Sequence, residues 1–288
     1  MYKNLLTTLL LVTPVSAATA ENWFEGSSPL IQAHQMLLDD NLEQSFSAMI
    51  QVWQSNNNAY MDNHLNQLLL KALEKDCGKS LSSEPLAEWL DEVIVRRQSI
   101  ESPGRRVERA VVDAVTQVDI ESIDLIKWPA TPVSDETEYT IVNESDKTIH
   151  RNFFSLSQRL SKGLYKVVIK SASKGVWESW VVIGEAEAKE VVRWETKDKW
   201  AVDKFGLLNP YCALPVMDIG LYDYVDDQYK KVWKRSYESE YPKTLPQESF
   251  KPDRYVLAVS ITHKRWQGAI TIEEQQVISK THDISAEE

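Results

Sequence analysis

The two cysteines are the residues whose type most directly predicts a chemical bond. Cys77 and Cys212 are the only cysteines in the chain. In an exported protein an even number of cysteines more often forms disulfides than free thiols, and a bridge here would close a loop of roughly 130 residues. Cys77 precedes Gly78 at the predicted end of a helix, and Cys212 lies between Pro210 and Pro215, so a bridge would not distort regular structure. We therefore predict a Cys77–Cys212 disulfide, with two separate buried thiols as the alternative.

The sequence contains none of the common motifs for catalysis, phosphate binding or metal binding. There is no zinc-binding His-Glu-x-x-His, no Gly-x-Ser-x-Gly nucleophile motif, no phosphate-binding glycine loop and no calcium loop. His34 and His64 lie on or beside apolar helical faces, and His150, His263 and His282 have no second ligand at metal spacing. We therefore predict no catalytic residue, no metal ion and no cofactor.

Aromatic residues are the other candidates for binding chemistry. Rings exposed in a row on a sheet could stack on sugar rings, whereas aromatic side chains in strands also fill cores. Trp177 and Trp180 are three residues apart, so on a regular strand they face opposite sides and at least one should point outward. The candidate binding residues on consecutive predicted strands are Trp177, Trp180, Trp194, Trp200, Tyr222, Tyr224, Tyr229 and Trp233.

The N-terminus has the three parts of a cleavable secretory signal. Lys3 supplies a positive charge, Leu5 to Val12 form an apolar run, and small residues precede Glu21. The run is too short to cross a bilayer, which needs about 20 apolar residues, and Pro14 interrupts it. We predict cleavage after Ala20, or after Ala17, and a periplasmic mature protein without a membrane span.

The charge balance argues against a nucleic-acid partner. Asp and Glu number 43 against 32 Lys and Arg, for a formal net charge of −11, and loss of Lys3 with the signal makes the balance more negative. Phosphate binding depends on clustered basic residues. The densest basic stretch, Lys230 to Arg235, directly follows Asp226 and Asp227 and reads as a solvated strand edge.

The first part of the mature chain has helical periodicity. Ser28-Pro29 predicts a first helix, Asp40 with Glu43 predicts the capped start of a second, and a third is expected to stop at Gly78. A fourth is predicted from Ser83-Glu84-Pro85 through Ile94. The pattern predicts a small bundle of helical hairpins within a helical domain over residues 21–104.

Beyond Ser102-Pro103-Gly104 the apolar period changes to two. Strands are predicted at Val112–Ile120, Glu138–Asn143, Gly163–Ile169, Val176–Ile183, Glu190–Thr196, Tyr222–Val225, Gln228–Trp233, Arg254–His263 and Ala269–Ile278. Their close spacing predicts an antiparallel β domain like a sandwich over residues 105–282. The overall fold class is therefore α+β, with a signal peptide at 1–20 and a disordered tail at 283–288.

One stretch of sequence supports a resemblance to a known family. The motifs Asn22-Trp23-Phe24, Ser28-Pro29-Leu30, Gln32-Ala33-His34 and Val52-Trp53-Gln54 resemble a family of uncharacterised bacterial exported proteins, a domain of unknown function. The resemblance implies an envelope-associated role beside regulators of envelope stress. It implies no catalytic residues.

Three functions remain open on these grounds. The first is a non-enzymatic periplasmic accessory protein that binds another envelope protein through the helical half or the groove between the halves. The second is a peptidoglycan-binding module that uses the aromatics of the sheet. The third is an enzyme that acts on the cell wall.

Overall fold

The structure, a computed structural model, places three helices before a set of mostly antiparallel β-sheets. It describes residues 28–55, 59–82, 84–144, 147–185, 188–225, 228–246 and 250–284. The predicted signal peptide with its cleavage sites after Ala17 and Ala20, and the predicted turn at Asp226-Asp227, lie outside these residues. None of the described helices is long and apolar enough to cross a membrane.

The helices begin and end close to the predicted positions. They are α1 (Pro29–Leu38), α2 (Leu42–Ser55) and α3 (Ala59–Asp76). Ser28 caps α1, since its side chain accepts a hydrogen bond from the Ile31 amide, and Pro29 occupies the first turn. The predicted capping role of Asp40 is wrong, because Asn41 Oδ1 accepts from the Gln44 amide and Asp40 instead pairs with Lys75.

The prediction of a fourth helix is wrong. Residues 84–91 have no regular secondary structure apart from a turn at 88–89, the predicted start at Ser83 lies outside the described residues, and Glu92–Ser102 form the first strand of the largest sheet. Leu90, Val93 and Ile94 fit a helical spacing, but the β-branched run around them pairs with two other strands. The change from helix to strand therefore occurs before residue 92, and Ser102-Pro103-Gly104 is a hairpin turn within the sheet.

Fourteen strands are found in the described residues, arranged in three sheets. They are β1 (Glu92–Ser102), β2 (Arg105–Val115), β3 (Ser122–Lys127), β4 (Thr131–Pro132), β5 (Thr137–Glu144), β6 (Lys147–Leu156), β7 (Gly163–Ser171), β8 (Gly175–Ile183), β9 (Glu190–Trp194), β10 (Trp200–Lys204), β11 (Val216–Val225), β12 (Gln228–Tyr237), β13 (Asp253–Gln267) and β14 (Ile270–Ile284). The sheet orders are β12-β11-β13-β14-β1-β2-β6-β5, β4-β3-β7-β8 and β10-β9.

Two features of the large sheet differ from the prediction. β1 pairs with β14 in parallel, so this sheet is not wholly antiparallel. Asp283 and Ile284 belong to β14, where they pair with Arg254 and Asp253. The predicted disordered tail at 283–288 is therefore wrong for these two residues, and residues 285–288 lie outside the described chain.

Three apolar clusters hold the layers together. The first, the inner cluster, joins the large sheet to the four-stranded sheet, with Val95 and Val112 on one side and Val167 and Val181 on the other. The second joins the helices to the outer face of β7 and β8 through Leu164 and Val182. The third joins β9 and β10 to the far end of the large sheet. The helices and the large sheet therefore lie on opposite faces of the four-stranded sheet.

Candidate functional site

A disulfide joins the end of α3 to the connection between β10 and β11. The predicted Cys77–Cys212 bond is present, with the two Cα atoms 5.1 Å apart and the two residues 135 positions apart in sequence. Cys77 is fully buried. The bond brings three elements together at one place: the end of α3, the segment before β11 and the β13–β14 hairpin.

The local sequence explains how the chain leaves α3 at this point. Asp76 accepts hydrogen bonds from the amides of Gly78 and Ser80, both at 2.8 Å. Gly78 has a φ of +86°, and a Cβ atom there would lie 2.0 Å from the Trp266 carbonyl oxygen. Because glycine alone permits this approach, the Trp266 amide can donate to the Cys77 carbonyl and the Gly268 amide to the Gly78 carbonyl. The helix end is thereby pinned to the β13–β14 hairpin.

Residues 205–215 form the connection that the disulfide anchors, and we call them the anchored segment. Asn209 Nδ2 donates to the Leu73 carbonyl at 2.8 Å, and Asn209 Oδ1 accepts from the Tyr211 amide. The Cys212 amide donates to the Asn209 carbonyl. At its start the Phe205 amide donates to the Lys189 carbonyl, and at its end the Pro215 carbonyl oxygen lies 2.8 Å from the Tyr241 hydroxyl, whose one proton it shares with Glu190. The segment has no regular secondary structure but is fixed at both ends and in its middle.

The anchored segment exposes large apolar side chains. Leu207 is 94% exposed, and the exposed fractions of Phe205, Tyr211 and Leu214 lie between 51% and 66%. Burial of apolar surface stabilises by about 25 cal/mol per Å², and these side chains leave half or more of their surface uncovered by the described chain. Clustered exposed apolar groups with a polar surround are typical of protein-binding surfaces.

Charged groups border this apolar surface. Lys75 lies beside Tyr211 and pairs with Asp40 at 2.6 Å, and the hydrogen bond that Lys75 donates to this carboxylate raises the pKa of Lys75. On the β10 side, Lys204 pairs with Glu190 at 3.0 Å. Burial, reinforced by the carboxylate of Glu190, raises the pKa of the Tyr241 hydroxyl, which stays protonated and donates to that carboxylate. The surround is therefore polar and of mixed sign, as in the rim of a protein interface.

A band of charged residues crosses the inner face of the large sheet. Because side chains two residues apart share a face, Arg97 and Glu274 follow Val95 and Ile272 of the inner cluster. Arg97 Nε donates to Glu274 at 2.7 Å, and its other nitrogens donate to the Leu160 and Gly184 carbonyls. A cleft of about 270 Å³ opens beside this band, but its buried charges are already paired within the protein.

The predicted row of aromatic residues is divided among three clusters. Trp177 is buried in the inner cluster and donates to the Pro85 carbonyl, and Trp200 is fully buried in the third. Trp180 lies on the opposite face of β8, between Trp128 and Lys166. The prediction of an exposed row is wrong for Trp177 and Trp200, because each faces an apolar cluster between its own sheet and the large sheet and fills that core.

The other aromatic candidates also lack a common face. Trp194 packs at the edge of the third cluster under Lys280, and Trp233 packs against Phe250. Tyr222 is half-buried, and burial raises its pKa. Tyr224 and Tyr229 are both exposed, with ring centroids 4.9 Å apart near the end of the β11–β12 hairpin. Only this tyrosine pair, among the eight predicted positions, resembles an open stacking surface.

Sequence reasoning missed the anchored segment. The candidate binding residues lie on predicted strands, whereas the exposed apolar side chains lie in a connection that contains glycine, asparagine and proline. Phe205, Leu207 and Leu214 within such a connection were the available signal, since loops are normally polar. Among the described residues, no group of three or more histidine, cysteine, aspartate or glutamate side chains forms a metal centre.

Comparison with known proteins gives one family match. The model of a family described as "Protein of unknown function (DUF2861)" matches residues 23–283. No curated protein matches the sequence. Among solved structures, the chain is similar to one titled "Tandem Ig repeats of Dlar", at 13% sequence identity and a TM-score of 0.27, over 66% of this chain and 97% of that chain.

Proposed function

The chain belongs to the DUF2861 family of proteins of unknown function, and we propose that it is a non-enzymatic accessory protein of the bacterial cell envelope. In this proposal it binds another envelope protein through the anchored segment. A sensor of envelope stress is the partner to test first. The observation that carries the proposal is the exposure of Phe205, Leu207, Tyr211 and Leu214 on a segment fixed by a disulfide.

A fixed apolar surface favours binding for an energetic reason. Association orders flexible side chains and loops, and this lowers affinity unless the surface is already rigid. The bond to Cys77 and the hydrogen bond from Asn209 to Leu73 have already ordered the segment. Aromatic side chains are frequent at the centres of interfaces, so Tyr211 is the expected anchor. Leu207, which is 94% exposed, adds the most uncovered apolar surface beside it.

The experiment is capture by the purified mature protein, with crosslinking, from an envelope extract. Leu207→Asp and Tyr211→Ala should each abolish capture of a defined partner. Ile141→Asp is the matched control, because Ile141 is also exposed but lies on the edge strand β5. Capture that survives both segment variants, or that Ile141→Asp equally removes, would contradict the proposed surface.

We also propose export to the periplasm with cleavage after Ala20 or Ala17. The disulfide supports this, since such bonds persist in oxidising compartments. Cell fractionation followed by N-terminal sequencing tests it. A full-length chain that starts at Met1 in the cytoplasm would be the contrary result.

We further propose that the large and four-stranded sheets form a β-sandwich and that a helical hairpin precedes it. The cluster shared by the large and four-stranded sheets supports the sandwich. The hydrogen bond from Ser45 of α2 to the Ala33 carbonyl of α1 supports the hairpin. Both features leave the anchored segment at the surface.

A second candidate function is binding of peptidoglycan, and the exposed Tyr224–Tyr229 pair favours it. Rings of this kind can stack on sugars. Sedimentation with purified peptidoglycan tests it, and Tyr224→Ala and Tyr229→Ala should both reduce retention. Trp233→Phe serves as the control, because Trp233 packs internally against Phe250.

A further inference from the structure

Two histidines from different helices meet side by side at the surface of the helical layer. His34 Nε2 of α1 lies 2.9 Å from His64 Nε2 of α3. The ring centroids are 5.0 Å apart, with the ring planes inclined at 44°. Both side chains are half-buried, so a small solute can reach them from solvent.

The surroundings of His34 favour its neutral imidazole. Burial first, and the neighbouring His64 second, lower the pKa of His34. α1 contains no acidic or basic residue that could alter this, and neither imidazole forms an ion pair among the described contacts. One Nε2 therefore donates its proton to the lone pair of the other. Neutral imidazole is also the form that ligates metal ions.

From this geometry we propose that His34 and His64 together bind one divalent transition-metal ion, with Cu²⁺ bound most tightly. Metal–imidazole bonds are about 2.0–2.1 Å long, so two nitrogens 2.9 Å apart subtend about 90° at the metal. That angle fits neighbouring positions of the tetragonal geometry of Cu²⁺. Each ring has to turn so that both lone pairs converge, and half-buried side chains at a helix surface permit this. Water completes the coordination.

Binding of the metal ion moves one proton within the site and leaves the charge of the protein unchanged. The shared proton leaves the donating Nε2 and moves to Nδ1 of the same ring, so both Nε2 atoms become ligands. No proton is released at neutral pH. Binding would join α1 to α3 in addition to the existing apolar contacts, and would weaken as pH falls because both imidazoles must be neutral.

Calorimetric titration of the mature, disulfide-bonded protein with Cu²⁺, Ni²⁺ and Zn²⁺ separately tests the proposal. One Cu²⁺ should bind per chain, with the other two ions weaker. His34→Ala and His64→Ala should each weaken Cu²⁺ binding at least tenfold. His282→Ala is the control, because it removes a partly buried histidine elsewhere and should leave binding unchanged.

A second measurement guards against variants that fold poorly. Electron paramagnetic resonance of the Cu²⁺-loaded wild-type protein should show coupling to two imidazole nitrogens, and to one in His64→Gln. Circular dichroism should show that the variants are folded. Absence of stoichiometric Cu²⁺ binding, or Cu²⁺ binding by the His34 and His64 variants as tight as that of the wild-type protein, would overturn the proposal.

Discussion

At the scale of single residues, His34 makes stability depend on pH. Its pKa is lowered in the folded state from the ordinary value of 6.5, so the unfolded chain binds more protons just below pH 6.5. The stabilisation is complete above pH 6.5 and is lost as pH falls through the folded pKa. Burial also lowers the pKa of His150, which adds a second contribution of the same sign.

We therefore expect the free energy of unfolding to decrease between pH 7.5 and pH 5.5. His34→Gln should reduce this decrease without abolishing it, since His150 remains. Urea unfolding at several pH values provides the measurement, with His282→Gln as a comparison. An identical pH dependence in His34→Gln would exclude this account of His34.

Gly78 is the residue where a single added methyl group should matter most. Gly78→Ala imposes an unfavourable positive φ and places Cβ 2.0 Å from the Trp266 carbonyl oxygen. We expect a loss of about 3 kcal/mol or more, because the close contact adds to a backbone penalty of about 1–2 kcal/mol. Gly104 also has a positive φ, +74°, but a Cβ atom there would have no neighbour within 4 Å. Gly104→Ala should therefore lose only the stability that corresponds to the backbone penalty. If thermal unfolding shows that the two variants lose similar stability, the close approach of Gly78 to the Trp266 carbonyl does not add to the cost of Gly78→Ala.

At the scale of elements, a row of alternating charges joins five strands on the face of the large sheet opposite the inner cluster. Asp113 accepts two hydrogen bonds from Arg151, at 2.6 and 2.7 Å, and lies 3.5 Å from Arg96. Glu273 pairs with Arg96 at 2.6 Å and with Lys264 at 3.2 Å. Each strand pairing places the next charge in the row, so the row reinforces the strand register.

Asp113→Ala should cost about 3–5 kcal/mol, since it leaves two arginines without their buried carboxylate. Asp283→Ala breaks the exposed pair with Arg254 and should cost less than about 1 kcal/mol. Chemical denaturation of both variants measures the difference. Equal losses would mean that the row contributes no more than a surface ion pair.

The elements also show how far the sequence predicts this fold. α1, α3 and the β7–β8 and β13–β14 pairs follow from local periodicity and capping, which the chain retains in the folded state. The first three residues of β1, Glu92 to Ile94, fall within the predicted fourth helix, because one of the two strands that pair with them, β14, is 177 positions away along the chain for Arg96 and Glu273. Such distant pairing leaves no local signal. For the same reason the burial of Trp177 and Trp200, and the exposure of Leu207, could not be predicted from spacing.

At the scale of the whole molecule, the anchored segment depends on the long covalent loop. A loop of 135 residues restricts the unfolded chain, and the entropy model gives a stabilisation of about 5 kcal/mol. The Cys77→Ser, Cys212→Ser double variant should lose up to that amount in urea unfolding. Local order should fall further than global stability, because Asn209 then holds the middle of the segment with one hydrogen bond to Leu73.

Hydrogen exchange separates these two effects in the same variant. Amides of the anchored segment, including that of position 212, should exchange faster, whereas amides of β2 should keep their protection relative to the new global stability. If the segment binds the partner as proposed, capture should weaken at a protein concentration and temperature at which the variant is still folded. Unchanged exchange at position 212 together with reduced capture would instead place the binding surface outside the segment, since the rigid apolar surface would then have survived the loss of the disulfide.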